Sequence, residues 1–220
     1  MGMCPLVDEF AQGERRSTPM PTGVALRDVR QQLFDAAERI LLRDGPSALT
    51  SRAVTDEAGC AKGVLHRHFA DFDAFLADFV RDRIHRMEPQ AATLLGSAGS
   101  GTIVDNVTDA LTAVFESVAV AIVPLVTFRD ELRARLRETW PAGVPVLTDA
   151  AMMLTAYLSA ERDLGRLPAD AEPDGLAPTL VGAAHLLFAD RTGTPPDARA
   201  VRRMVTSALS GAYATDDRPR

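Results

Sequence analysis

Apolar residues recur every three or four positions along most of this chain and almost nowhere every two. Leu26, Val29, Leu33, Ala37, Ile40 and Leu41 make the first such stripe, which stops at Gly45-Pro46. That spacing puts side chains on one face of an α-helix, whereas a half-buried strand needs strict alternation. A short helix is expected from about Ser51 to Glu57 with Thr50 as its N-cap, because a threonine hydroxyl can accept from the backbone N–H groups that open a helix. Ala58-Gly59-Cys60 reads as a tight turn, and a second short helix is expected from Lys62 to about His68. Phe72, Phe75, Leu76, Phe79, Val80, Ile84 and Met87 predict a long helix that ends near Glu88-Pro89.

The stretch GSAGSG at 96–101 is a loop, after which Ile103, Val104, Val107, Leu111, Val114, Phe115 and Val118 resume the helical period. From Val118 to Val126 the chain is apolar on every side, which predicts burial all round, and Pro124 predicts a kink or break there. A loop bounded by Pro141 and Pro145 precedes a helix over about 146–166. Two last helices, near 174–191 and 196–213, flank a Thr-Gly-Thr-Pro turn. The fold class is therefore all-α. Residues 1–24, with Pro5, Pro19, Pro21 and Gly23, lack a sustained period and read as a flexible leader.

Composition adds limits. Hydrophobic residues make up 46% and charged residues 25% of the 220, enough for a sizeable core and unlike a disordered chain. The longest nearly unbroken apolar run, Val118 to Phe128, has 11 residues, where a membrane-spanning helix needs about 20. No membrane partner is expected. The N-terminus has neither the basic flank nor the apolar stretch of a signal peptide. Cys4 and Cys60 lie far apart and match no metal spacing, so a reducing cytoplasm is the expected compartment.

The net charge of −6 looks wrong for a nucleic-acid binder until it is divided. Residues 27–87 carry ten basic and ten acidic side chains, whereas residues 88–220 carry twelve against seventeen. The acid lies mainly in the C-terminal part, which is compatible with DNA binding by the head alone. Lys62 is the only lysine among the 24 basic residues; codon bias accounts for the arginine excess, and no mechanism is drawn from it.

A helix-turn-helix needs two short helices joined by a turn of three or four residues, the second entering the major groove. Thr50 to Phe69 supplies these parts. Ala53, Val54 and Ala58 give the first helix a small inner face, Gly59 permits the turn, and Cys60, Val64 and Leu65 pack inward. The candidate DNA-binding set is Thr50, Ser51, Arg52, Lys62, Gly63, Val64, His66, Arg67 and His68. Gly63 has a second reading as a helix-packing glycine, and His68 as a side chain packed beside Phe69. Arg15, Arg16, Arg27 and Arg30 are further basic groups on the N-terminal side, more simply read as solvated.

Over about residues 27–80 the chain resembles the tetracycline-repressor (TetR) family of bacterial transcription regulators. The resemblance rests on an ordered set: the first helix ending in Arg43-Asp44-Gly45, then Ala48-Leu49-Thr50, Glu57-Ala58-Gly59, Lys62-Gly63 with Leu65, and His68-Phe69 before Phe72 and Leu76. Two positions depart from the family. Ala61 stands where a small polar residue usually opens the recognition helix, and His66 replaces a frequent tyrosine. The resemblance implies a helix-turn-helix domain over 25–70, a connecting helix over 71–88 and a ligand-binding and dimerisation domain over 89–220. It further implies a homodimer on a palindromic double-stranded DNA operator, released by a small-molecule effector, with repression as the family's usual mode.

In the C-terminal part, Phe115, Val118, Ile122, Phe128, Trp140, Met152, Met153, Tyr157 and His185 are candidate effector contacts, suited to an apolar or aromatic compound. Two stripes at 3–4 spacing, Leu180, Ala184, Leu187 and Phe188, then Val201, Val205, Ala208 and Leu209, are the candidate dimer interface. No P-loop, Rossmann glycine pattern, zinc-protease motif or nucleophile elbow occurs. His66 and His68 fall on different helix faces and cannot chelate together. Catalytic residues, metal ligands and cofactors are therefore not expected. The competing reading is an all-α small-molecule-binding protein or enzyme that does not touch DNA.

Overall fold

The computed structural model describes residues 23–189 and 195–213, and among these every regular element is helical. The eleven described α-helices are α1 (Gly23–Asp44), α2 (Ser51–Glu57), α3 (Val64–His68), α4 (Phe72–His85), α5 (Glu88–Gly96), α6 (Ile103–Phe115), α7 (Ala119–Thr127), α8 (Asp130–Leu136), α9 (Pro145–Asp163), α10 (Pro173–Phe188) and α11 (Ala198–Tyr213). The leader up to residue 22, with Arg15 and Arg16, the side chain of Arg27, and most of the Thr-Gly-Thr-Pro turn lie outside the described residues.

α1 to α4 form the head. Leu33, Ala37, Ile40 and Leu41 of the first stripe are buried against Val54, Leu65, Phe75, Leu76 and Phe79. Four phenylalanines supply its centre: Phe34 lies 5.9 Å from Phe69, 5.6 Å from Phe75 and 6.1 Å from Phe79, ring centre to ring centre. α4 leads from this core into the body, where α5 to α7 and α9 to α11 bury Leu111, Val114, Ile122, Leu125, Leu154, Leu158 and Leu180 together.

Several boundaries differ from the sequence expectation. α4 ends at His85, ahead of Glu88-Pro89, which instead opens α5, with Pro89 in its first turn, where a missing N–H costs nothing. The chain bends by 57° between α6 and α7, around residues 116–118, and Pro124 sits inside α7 instead of breaking it. The short α8 adds a helix where none is expected, burying Leu132 and Leu136. α9 ends at Asp163 and α10 at Phe188, each ahead of its expected end. No single helix among the described residues is long and apolar enough to cross a membrane.

Ion pairs hold α4 from two sides. Arg83 is buried, and its guanidinium meets Asp35 at 2.9 Å and Glu38 at 2.7 Å on α1, and also its neighbour Asp82. Burial works to raise the Asp35 carboxyl, but hydrogen bonds from Gln31 and Arg83 and the charges of Arg83 and Arg86 outweigh it and hold it below its ordinary value. On the other side, α8 and the residue before it reach α4 through Arg135–Asp71 at 2.6 Å and Arg129–Asp73 at 2.9 Å. Arg83→Ala removes the buried partner of three carboxylates and leaves only Arg86 on Asp35 and Asp82. It should lower stability by about 2–3 kcal/mol, less than for a fully buried pair because the acids are partly solvated. Chemical denaturation of the variant beside the wild type measures this.

Candidate nucleic-acid interface

Residues 50–69 build a projecting pair of short helices. Thr50 caps α2 as the sequence implies, its hydroxyl oxygen accepting from the Ala53 N–H at 3.1 Å. Gly59 sits at φ +66°, a left-handed conformation that favours glycine, and the Cys60 N–H closes the turn on the Thr55 carbonyl at 2.9 Å. The next helix begins at Val64 and not at Lys62. Neither Ala61 nor Gly63 offers a side-chain cap, and Ala61 to Val64 is a turn closed by the Val64 N–H on the Ala61 carbonyl at 2.9 Å. α3 is therefore only five residues long. Leu65, fully buried, and Phe69, its buried C-cap, anchor it to the head.

Lys62, Gly63, His66 and Arg67 are exposed, with Thr50 and Arg52 on the adjoining helix. Ser51 and Val64 are half-buried at the edge of this face. A Cβ at Gly63 would meet nothing within 4 Å, and its φ is −81°, so neither packing nor conformation calls for glycine there. The helix-packing reading of Gly63 is overturned, and what glycine leaves is an open surface beside Lys62. His68 is half-buried beside Phe69, and its carbonyl accepts from Arg30 at 3.2 Å. Arg30 is thus a structural clamp: it also pairs with Asp78 at 2.7 Å and lies 4.3 Å above the Phe69 ring.

Charge on this face is one-sided. Residues 58–70 contain Lys62, His66, Arg67 and His68 and no carboxylate. Among the described residues, Lys62 and Arg67 have no ion-pair partner. The nearest acids in sequence are matched by arginines. Glu57 accepts from Arg39 at 2.8 Å and from Arg43 at 3.1 Å, and those hydrogen bonds hold its carboxyl below the ordinary range. Asp56 lies 3.5 Å from Arg52. Exposed donors on a short helix, with neutralised acids behind them, suit a polyanion that also presents acceptors in a groove.

The candidate effector residues do not enclose one cavity. Phe115, Val118, Ile122, Met153 and Tyr157 are ordinary core, while Phe128 and Met152 are 84% and 64% exposed. Phe115 stacks on His185 and Phe188 at 6.1 and 5.7 Å. The Trp140 indole donates to Asp149 at 2.6 Å, and burial pushes that carboxyl up. The Tyr157 hydroxyl donates to the fully buried Glu161 at 2.6 Å; burial, then that hydrogen bond, pushes the phenol up to about 12. Phe128 and His185 share a cleft of about 300 Å³ between α7 and α10. A different cavity, about 370 Å³ between α5 and α6, is lined by Leu94, Asn106, Asp109, Ala110 and Ala113. The sequence reading misses it because it does not contain α5; Pro89 as a helix-opening residue is the signal that could have found that helix.

The candidate interface residues are also corrected. Leu180, Ala184, Phe188, Val201, Val205 and Leu209 turn into the chain's own core, and Leu187 and Ala208 are half-buried. The 3–4 stripes are those by which α10 and α11 pack on each other and on α6, so their side chains do not form a free surface. The uncovered face of α10 is instead Asp174, Gly175, Pro178, Thr179, Gly182 and Leu186.

Comparisons agree with this geometry. Residues 33–78, which contain the whole α2–turn–α3 unit, match the family model of tetR-family bacterial regulatory proteins. No curated protein sequence matches the chain. Solved structures share the fold. A transcriptional regulator from Rhodococcus is 16% identical with a TM-score of 0.63, covering 87% of this chain and 99% of its own. A TetR transcription regulator from Haloarcula marismortui is 17% identical with a TM-score of 0.61, covering 86% and 98%. The Bacillus subtilis regulator FadR, solved with stearoyl-CoA, is 14% identical with a TM-score of 0.59, covering 84% and 97%. Residues 33–78 thus carry the DNA-binding domain of tetR-family bacterial regulatory proteins, and the chain as a whole shares its all-helical fold with solved regulators of that family.

Proposed function

We propose that this DNA-binding regulator is a homodimeric repressor that leaves a palindromic operator when a small, largely apolar molecule binds its C-terminal domain. The observation that carries the DNA part is the acid-free reading face with Lys62, His66 and Arg67 exposed on it. Lys62 acts on phosphate, and Arg67, with its planar fork of donors, on a base edge. Two such heads must stand about 34–36 Å apart to enter successive major grooves of a palindrome. An effector that favours another separation lowers operator affinity by linkage.

The second copy is seated on α10. Residues 150–160 of α9 and 175–184 of α10 contain no charged side chain, although charged residues are 25% of the chain. Between the two helices runs a groove of about 700 Å³ bordered by Leu147, Ala151, Met152, Pro178 and Gly182. Leu186 stands 79% exposed at its end, on the face of α10 that also carries Gly182. A long face of this kind, with Asp174 its one charge at the helix start, is an interface signature, and a two-fold arrangement lays α10 of each copy against the other.

Two measurements check the reading. With a duplex selected by the protein from a random pool, Lys62→Ala should weaken binding to all sequences and flatten the salt dependence by about one counterion. Arg67→Ala should relax preference at one or two base positions, at about 1–3 kcal/mol. Unchanged affinity and preference in both variants would contradict the assignment. In sedimentation at micromolar concentration the wild type should be a dimer and Leu186→Glu a folded monomer, because a charge there has no partner in a dry interface. A dimeric Leu186→Glu protein would move the interface elsewhere.

A further inference from the structure

We propose that the cavity between α5 and α6 is a binding site for an organic ammonium ion with a short apolar body. This rests on the effector-responsive reading above and names the chemical class of the effector.

The cavity is an open pocket, with Gln90, Thr93, Asp109 and Ala113 exposed at its mouth, and it exists because small side chains face each other across it. Thr93 and Ser97 on one wall and Ala110 and Ala113 on the other leave about 370 Å³, with the Leu94 side chain buried at its base. The apolar surface suits an alkyl or aryl group. The polar groups are more selective, because almost all of their hydrogens are already used.

The Thr93 hydroxyl donates to the Pro89 carbonyl at 2.8 Å, and the Ser97 hydroxyl donates to the Leu94 carbonyl at 2.7 Å. Each is left with lone pairs only. The Asn106 amide nitrogen donates to the Ser100 carbonyl and to the Tyr157 hydroxyl oxygen, both at 2.9 Å. A carbonyl can only accept, so the Ser100 contact fixes which end of the amide is nitrogen and leaves Oδ1 as the group Asn106 offers a ligand. Asp109 follows three residues later on α6, on the same helix face, and adds a carboxylate. Only Gln90 retains donors among the polar side chains at the cavity.

Charge points the same way. α5 and α6 contain no lysine, arginine or histidine and carry Glu88, Asp105 and Asp109. Asp105 is taken by Arg202 of α11, and Glu88 pairs with His85 at 2.8 Å. Asp109 has no ion-pair partner among the described residues. A carboxylate or phosphate ligand would meet acceptors and negative charge. A primary or secondary ammonium supplies the two or three N–H donors that Asp109, Asn106 and the hydroxyl oxygens accept, while its chain covers Leu94, Ala110 and Ala113.

Calorimetric titration of the full-length protein, without DNA, tests this with n-octylammonium against octanoate and 1-octanol, all below their aggregation limits. The ammonium should bind at least tenfold more tightly than octanoate. Asp109→Asn should weaken the ammonium about tenfold, as expected for the loss of a charged hydrogen bond, and leave octanol unchanged. Ala110→Trp, which fills the cavity, should abolish binding of both, with circular dichroism confirming that the helices remain. Equal binding of octanoate and octylammonium, or an Asp109→Asn protein that binds the ammonium as the wild type does, would overturn the proposal. Because DNA is absent, failure to select any operator would defeat the regulatory reading without altering this result.

Discussion

Helix α3 is too short to exist by itself, and the rest of the head is organised around that fact. Five residues cannot repay the cost of nucleating a helix in water. α3 holds its conformation only because Leu65 and Phe69 are sunk in a core supplied by α1 and α4. The Phe69–Phe75 contact, edge to face at 5.1 Å, fixes the end of α3 against α4. Arg30 closes the same corner with its guanidinium over the Phe69 ring, one hydrogen bond to the His68 carbonyl and an ion pair to Asp78. The direction in which His66 and Arg67 point is therefore set by α1 and α4 and not by α3 itself.

That dependence ties α3 to α4, and α4 is tied in turn to the body. Its first turn is held at Asp71, one carboxylate oxygen of which caps the helix at Ala74 while the other takes Arg135 of α8. Asp73 is tied in the same way to Arg129, whose guanidinium also lies 5.4 Å from the Phe72 ring centre. These partly exposed pairs add little stability each. Their weight is geometric, since they join α8 and the residue before it to the start of α4, which directly follows α3 and Phe69.

How much of this was legible in sequence depended on distance along the chain. The helix-turn-helix lies within residues 50–69, so the Thr50 cap, the Gly59 turn and the exposed basic set could be read from neighbouring residues alone. The start of α3 differs from the pattern because Ala61 and Gly63 leave two residues of a helical pattern without a cap. Helices with a long stripe, such as α1, α4 and α6, were likewise visible. α5 buries Leu94 alone and α8 only Leu132 and Leu136, too few to establish a period. The effector and interface residues failed for a different reason. A 3–4 stripe has the same spacing whether it faces its own chain or a partner, so Leu180 and Val205 could not be told from surface positions. The cavity at Asp109 arises from side chains on two helices, one of them invisible in the pattern.

The central claim is that the short helix after Gly59, held by the α1–α4 core, is what meets DNA. Amide hydrogen exchange of the full-length protein, with and without a duplex that it selects from a random pool, tests this most directly. Added protection should concentrate in residues 59–68 and at the start of α2, with the amides of α5, α9 and α10 unchanged or moderately altered. Protection confined to the body, with residues 59–68 exchanging as fast in the complex as in the free protein, would contradict the account.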